Sequence, residues 1–574
     1  MNPIHGLLRR PLLHVAAFSV AVNLLSLVPA LYMLQVFDRV LASRSHETLA
    51  MLVLGAAIAL GMLLGLDYLR ARLQGVAGNL VADALSPAVA KALIAARSQG
   101  DRSHAEGLRD VATLRGLFSA QGLLALFDAP WLLVFVGVIW LFHPALGIAA
   151  AASAAVMLLL AYFNDRITRP GIEALQREAA IAGCYLESSL ANAEVAQALG
   201  MAPALIDRWR DLNRNVADLQ RPIARRTVAM AAITRALRQV IQIALLALGA
   251  YLVITQEATA GIMIATTVLL GRALAPVEQI VGCWRVLAEG RAALARLREL
   301  LETPANALER MPLPRPSGAL SVQNVIYRPP GSDRVVLQGI SLNLAAGDSL
   351  AIIGPSAAGK STLARLMIGL WKPSSGMVRI DGADLSTWPR ESLGPSIGYM
   401  PQDVELFAGT VADNIARLGQ VDSGMVVSAA KRARVHEMIL SLPQGYDTRV
   451  DARGMQLSPG QRQRIALARA IYGSPRLVVL DEPNSNLDGS GEQALADAIV
   501  ELRNEGVTVV VVTHRSTLTR QMSHMLALEG GRATHLGPTA QVMVALDRQR
   551  RGAPAANVVQ MPLPASTARA EKAS

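Results

Sequence analysis

Gly354-Pro355-Ser356-Ala357-Ala358-Gly359-Lys360-Ser361-Thr362 fits G-x-x-x-x-G-K-[ST] at every fixed position. The apolar run Ser349–Ile353 before it reads as a strand, and Ser361 to Leu370 after it as a helix. Glycines let such a loop curl so that backbone N–H groups converge on phosphate oxygens. The helix N-terminus adds its dipole, Lys360 reaches the outer phosphates, and Ser361 can hold Mg²⁺. By itself this stretch marks a site for nucleotide phosphate and nothing narrower.

Companion motifs narrow it. The apolar strand Arg476 to Leu480 ends in Asp481-Glu482, which suits a Mg²⁺-facing aspartate followed by a carboxylate that polarises the attacking water. Leu457-Ser458-Pro459-Gly460-Gln461 opens a helix rich in Arg and Ala. Gln402 follows Tyr399-Met-Pro401, Ser485-Asn-Leu-Asp488 follows the acidic pair, and His514 ends the run Val507 to Thr513. In this order the motifs resemble those of the ATP-binding-cassette (ABC) ATPase: Walker A, glutamine loop, signature, Walker B, D-loop and switch histidine. The resemblance implies ATP and Mg²⁺ as ligands, with Lys360, Gln402, Glu482 and His514 catalytic. Ser361, Gln402 and Asp481 would serve the metal. Residues Gly354 to Thr362 would hold phosphates, joined by Ser458, Gly460, Gln461 and Asp488 from across a dimer. Tyr327 stands 27 positions before Gly354 and is expected to stack on adenine. Pro459 departs from the usual Leu-Ser-Gly-Gly-Gln. It has no N–H to offer a phosphate, but Ser458 and Gly460 remain.

The first 300 residues are of another kind. Thr48 to Leu66 is 19 residues without a charge and Pro144 to Phe163 is 20, each the length that crosses a hydrocarbon core. Leu12 to Phe37, Gly122 to Phe142, Val240 to Ile254 and Ala258 to Leu270 complete a predicted set of six spans. Asp67 to Gln121 and Asn164 to Gln239 hold 7 and 11 basic residues, whereas the opposite connections hold only Arg39 and Arg44. The positive-inside rule puts both long stretches in the cytosol, where the nucleotide site must also lie. This accounts for the net charge of +11 without nucleic acid, since no basic patch laced with aromatics stands out. Cys184 and Cys283 show no metal spacing and read as reduced packing residues.

The expected architecture is therefore an α-helical six-span transmembrane domain over residues 1–301, a proline-rich linker at 302–318, an α/β P-loop ATPase at 319–546 and a disordered tail at 547–574. The long cytosolic stretches read as helices that leave the membrane and turn back. Their turn helices are expected around Arg102 to Leu108 and around Ala191 to Met201.

Tyr32-Met-Leu-Gln-Val-Phe-Asp-Arg-Val-Leu41 and Phe127-Asp-Ala-Pro-Trp131 resemble membrane motifs of type I secretion exporters. The signature and Asp481-Glu-Pro-Asn-Ser-Asn-Leu-Asp488 resemble the subgroup that secretes metalloproteases, lipases and haem-binding proteins. The resemblance implies a homodimer in the inner membrane of a Gram-negative cell, working with a periplasmic adaptor and an outer-membrane tunnel on a secreted protein. Such a cargo is expected to be recognised by an uncleaved C-terminal segment. With the first span beginning near residue 12, the cysteine-peptidase domain of some related exporters is not expected. Export of a lipid, small molecule or peptide, and ATP gating of a channel, stay open on the residues alone. Phe127 to Trp131 also has a plainer reading, with Asp128 capping a helix that Pro130 starts.

Overall fold

Apolar runs in this chain build helices that outlast the membrane. The computed structural model describes residues 2–99, 107–119, 121–302, 313–330, 332–451 and 456–550. It forms two compact units, one of Met1–Ala96 with Arg102–Ala307, the other of Arg97–Asp101 with Leu308–Ser574. Most of the expected linker, the turn around Arg102 and the tail beyond residue 550 lie outside the described residues.

The described elements of the first unit are all helices. It runs α1 (Asn2–Leu25), α2 (Val28–Gln35), a π-helical turn (Val36–Val40), α3 (Leu41–Ser43) and α4 (His46–Ser98). There follow α5 (Gly107–Ser119), α6 (Gln121–Asp128), α7 (Trp131–Phe142) and α8 (Pro144–Ala191). A short α9 (Ala193–Ala198) leads to α10 (Ala202–Ile254), α11 (Ala260–Gly282) and α12 (Trp284–Glu302). Among the described residues, five helical stretches are long and apolar enough to span, and α7 is a shorter apolar helix. Local chemistry sets the turns. His143 accepts from Ala145 N with Pro144 at the first helical position of α8, and Thr259 accepts from Ile262 N to start α11. Phe135, Ile139, Leu146, Met157, Leu269 and Leu274 fill the core between these spans.

The third span differs from expectation. The run Gly122 to Phe142 is broken into α6 and α7 at Ala129-Pro130. Asp128 does not cap α7, which has no side-chain cap. Its carboxylate instead reaches other spans. It accepts from Ser19 Oγ (2.9 Å) and Asn23 Nδ2 (2.7 Å) of α1, and from Arg70 of α4 at 2.9 and 3.0 Å. Ser19, Asn23 and Arg70 are all buried. A charge surrounded by apolar helices persists only when paired and hydrogen-bonded, and this arrangement supplies both conditions.

The second unit holds a sheet ordered β12-β11-β3-β10-β9-β6 and an antiparallel sheet ordered β2-β1-β4-β5. The strands are β1 (Leu320–Tyr327), β2 (Leu337–Leu344), β3 (Ser349–Ile353), β4 (Ser375–Ile380), β5 (Ala383–Asp384) and β6 (Ile397–Met400). A two-stranded pair is β7 (Gly409–Thr410) and β8 (Arg449–Val450). The rest are β9 (Leu477–Asp481), β10 (Thr508–Val512), β11 (His524–Glu529) and β12 (Arg532–Pro538). Strands β11, β3, β10, β9 and β6 run parallel. Their residues alternate between two cores. Leu350, Ile352, Val510 and Val512 enter one, and Ala351, Val509 and Val511 the other. Burial on both faces explains why these strands are unbroken apolar runs.

Three helices matter for the site: α13 (Lys360–Met367) after β3, a helix over Pro459–Ile471 that we call the signature helix, and another over Gly489–Asn504.

Candidate functional site

The order β3-β10-β9-β6 brings four segments side by side at the carboxyl ends of parallel strands, where open α/β sheets hold ligands. Gly354 follows β3, His514 follows β10, Asp481-Glu482 closes β9 and Gln402 follows β6. Residues scattered over 160 positions (Gly354 to His514) thus become neighbours because of strand order alone.

The P-loop needs its glycines. Gly354 has φ 152° and a Cβ there would strike the Leu528 carbonyl. Gly359, φ 95°, starts α13, and a Cβ there would lie 2.7 Å from Leu337. Pro355, Ser356 and Ala357 are exposed, whereas Ala358, Gly359 and Lys360 are buried. Lys360 Nζ donates to the Gly354 and Pro355 carbonyls, each at 3.0 Å, which holds the ammonium across the loop. Burial lowers its pKa, and Glu482 and Asp481 pull it back. Ser361 and Thr362 follow in the first turn of α13, half-buried.

Asp481 is fully buried. Burial raises its pKa, opposed by a bond from Ser361 Oγ to Oδ1 at 3.2 Å. Its second oxygen, Oδ2, is buried without a hydrogen-bond partner among the described residues. A carboxylate oxygen left this way beside a serine hydroxyl fits a hard divalent cation. Glu482 sits at φ +50°, in the left-handed region, and its N–H donates to the Val512 carbonyl at 3.0 Å. That bend presents the carboxylate to two partners. Gln402 Nε2 donates to Oε2 at 3.0 Å, and His514 Nε2 lies 3.3 Å from Oε1.

The signature residues form a second group. Ser458 caps its helix, accepting from Gln461 N at 3.2 Å, while Gln461 Oε1 accepts from Ser458 N at 2.9 Å. Pro459 falls at the first helical position, where a missing N–H costs the helix nothing. A Cβ on Gly460 would lie 2.8 Å from the Asn486 carbonyl, so the helix start packs on the segment after Glu482. Asp488 caps the helix Gly489–Asn504, accepting from Gly491 N at 2.8 Å, and pairs with Arg464 at 2.7 Å. The bonds from Gly491 and Ser490, then Arg464, lower its pKa.

Sequence reading missed Gln463. This buried side chain donates to the Glu482 carbonyl and to Ser485 Oγ, each at 3.3 Å, and accepts from Asn486 N at 3.0 Å. It ties the signature helix to the backbone of Glu482. The available signal was a glutamine on the apolar face of a helix, four positions before Leu467. One expectation is corrected. Tyr327 is buried, 5% exposed, and stacks on Trp371 with ring centroids 5.2 Å apart and planes at 11°. Its ring belongs to the core and is not a platform for adenine.

Two family models match the chain: "ABC transporter" at residues 337–485 and "ABC transporter transmembrane region" at 12–277. The type I secretion system ATP-binding protein PrsD of Rhizobium meliloti is 41% identical over 540 residues, covering 93% of this chain and 92% of PrsD. The chain belongs to the ABC transporters of the type I secretion family. The leukotoxin translocation ATP-binding protein LktB of Mannheimia haemolytica is 27% identical to this transporter, across 92% of the chain and 76% of LktB. The exotoxin translocation ATP-binding protein PaxB of Pasteurella aerogenes is also 27% identical, across 93% and 76%. A bacterial Atm1-family ABC exporter with ATP bound shares the transporter's fold, with a TM-score of 0.80 at 23% identity over 96% of this chain and 99% of that one.

Proposed function

We propose that this transporter exports a protein from the cytosol of a Gram-negative cell, as the ATP-hydrolysing inner-membrane component of a type I secretion system. One observation carries the reading: Glu482, gripped by Gln402 and His514, completes a hydrolytic site in a chain that resembles PrsD from spans to ATPase.

Lys360 and the loop N–H groups bind the phosphates of ATP. Ser361, Asp481 and Gln402 would hold Mg²⁺, which would supply positive charge to neutralise the transferred phosphoryl group. Glu482 orients the attacking water and takes up its proton, while His514 and Gln402 fix the carboxylate. Ser458 and Gly460 act on a phosphate held by a second copy, because the chain carries one P-loop and one signature. A homodimer is also supported by α4. Among the described residues none of its most apolar window is buried within the chain, and a Cβ on Gly61 or Gly65 of α4 would meet nothing within 4 Å. A periplasmic adaptor, an outer-membrane tunnel and a C-terminally recognised cargo complete the reading.

The test is coexpression with the adaptor, tunnel and candidate cargo encoded beside it. Cargo should reach the medium with the parent transporter and stay in the cell with Lys360→Ala. Secretion unaffected by Lys360→Ala would overturn ATP-driven export, and unchanged secretion of a cargo lacking its C-terminal segment would overturn the recognition mode.

A further inference from the structure

The two membrane motifs each place an aspartate between spans, and the two sites differ in a telling way. Asp38 lies in the π-helical turn Val36–Val40. Such turns widen a helix by one residue and often mark functional positions. From there its carboxylate grips the start of α11: Oδ2 accepts from Thr259 Oγ1 at 2.7 Å and Oδ1 from Gly261 N at 2.9 Å. Thr259 is meanwhile the N-cap of that helix, so Asp38 supplies negative charge at a helix N-terminus. The fit is close. A Cβ on Gly261 would lie 2.5 Å from Asp38 Oδ2. This joins the extracytosolic ends of the first and last spans.

Asp38 and Thr259 are exposed, unlike the buried residues around Asp128. Water can replace the bonds of an exposed carboxylate, whereas separating a buried ion pair strands a charge in hydrocarbon. We propose that Asp38 is a positioning residue for export: it latches the extracytosolic ends of the first and last spans, and this latch opens in the transport cycle while the Asp128 cluster stays closed. The proposal rests on an ATP-driven cycle and on no particular cargo.

Spin labels at Leu41→Cys and Thr255→Cys, in a full-length chain with Cys184 and Cys283 replaced by serine, report the separation by pulsed electron resonance in nanodiscs. Trapping with ATP and vanadate should lengthen the distance in the parent. Asp38→Ala, and independently Gly261→Ala, should populate the longer distance without nucleotide by about tenfold, the worth of a charge-assisted bond at an equilibrium. Asp38→Asn keeps an acceptor oxygen and should fall between, a graded rescue that general loosening does not produce. ATPase activity of the labelled parent, measured alongside, separates a failed cycle from a failed latch. An active parent whose distance does not change on trapping overturns the proposal even if the variants do not fold. So do folded variants that keep the parent's distance distribution.

Discussion

At the scale of single residues, the proposed site divides labour between Lys360, assigned to binding, and Glu482, assigned to turnover. Lys360 already bonds two loop carbonyls and sits beside phosphate space, so Lys360→Ala should cost nucleotide affinity first. Glu482→Gln keeps the side chain's shape while removing the base. Nucleotide should bind near normally while hydrolysis falls by about 10²- to 10⁴-fold, measured as phosphate release against bound nucleotide. Equal losses of binding and turnover would contradict the assignment. Gln463 gives a second test of the same geometry. Gln463→Leu strands the Asn486 N–H and loosens the Glu482 backbone, so turnover should drop about tenfold with little change in nucleotide affinity.

At the scale of elements, buried charge makes the sharpest forecast. Asp128→Ala leaves the buried Arg70 only Asp67 as a carboxylate partner among the described residues, and should destabilise the detergent-solubilised transporter by about 3–5 kcal/mol, read from thermal unfolding. Arg70→Met combined with Asp128→Leu should recover most of that loss, because an apolar pair of similar size has no charge to strand. The parallel strands were legible in the sequence because both faces are buried, which leaves an uninterrupted apolar run such as Thr508–Val512. The P-loop, acidic pair, signature and histidine were legible because each is a local motif with fixed spacing. The roles of Asp38 and Asp128 were not, since their partners lie from 58 positions away, at Arg70, to 223, at Gly261. Tyr327 was misread for a different reason. Its expected role rested on its distance of 27 positions from Gly354, which says nothing of its face, and register shifts between Val322 and Val325 and between Val325 and Tyr327 break the alternation of β1 where its ring turns into the core.

At the scale of the molecule, two copies sharing two composite sites should betray themselves in mixtures. Ser458→Arg chains and Lys360→Ala chains are each expected to be inactive alone. Mixed, they form dimers with one doubly damaged site and one intact site, so activity should reappear if one site suffices and stay absent if both must fire. A fully active monomer by native mass spectrometry would rule out sharing altogether. The polar cluster around Asp128 also has a history during synthesis. Ser19 and its acceptor are 109 residues apart, so at about 5–20 residues per second the first helix waits roughly 5–20 s before Asp128 is made. Arg70 is made 58 residues before Asp128 and so waits about 3–12 s for that counter-ion. The nascent chain is therefore half-assembled for those seconds, and the polar cluster closes only once Asp128 has been made.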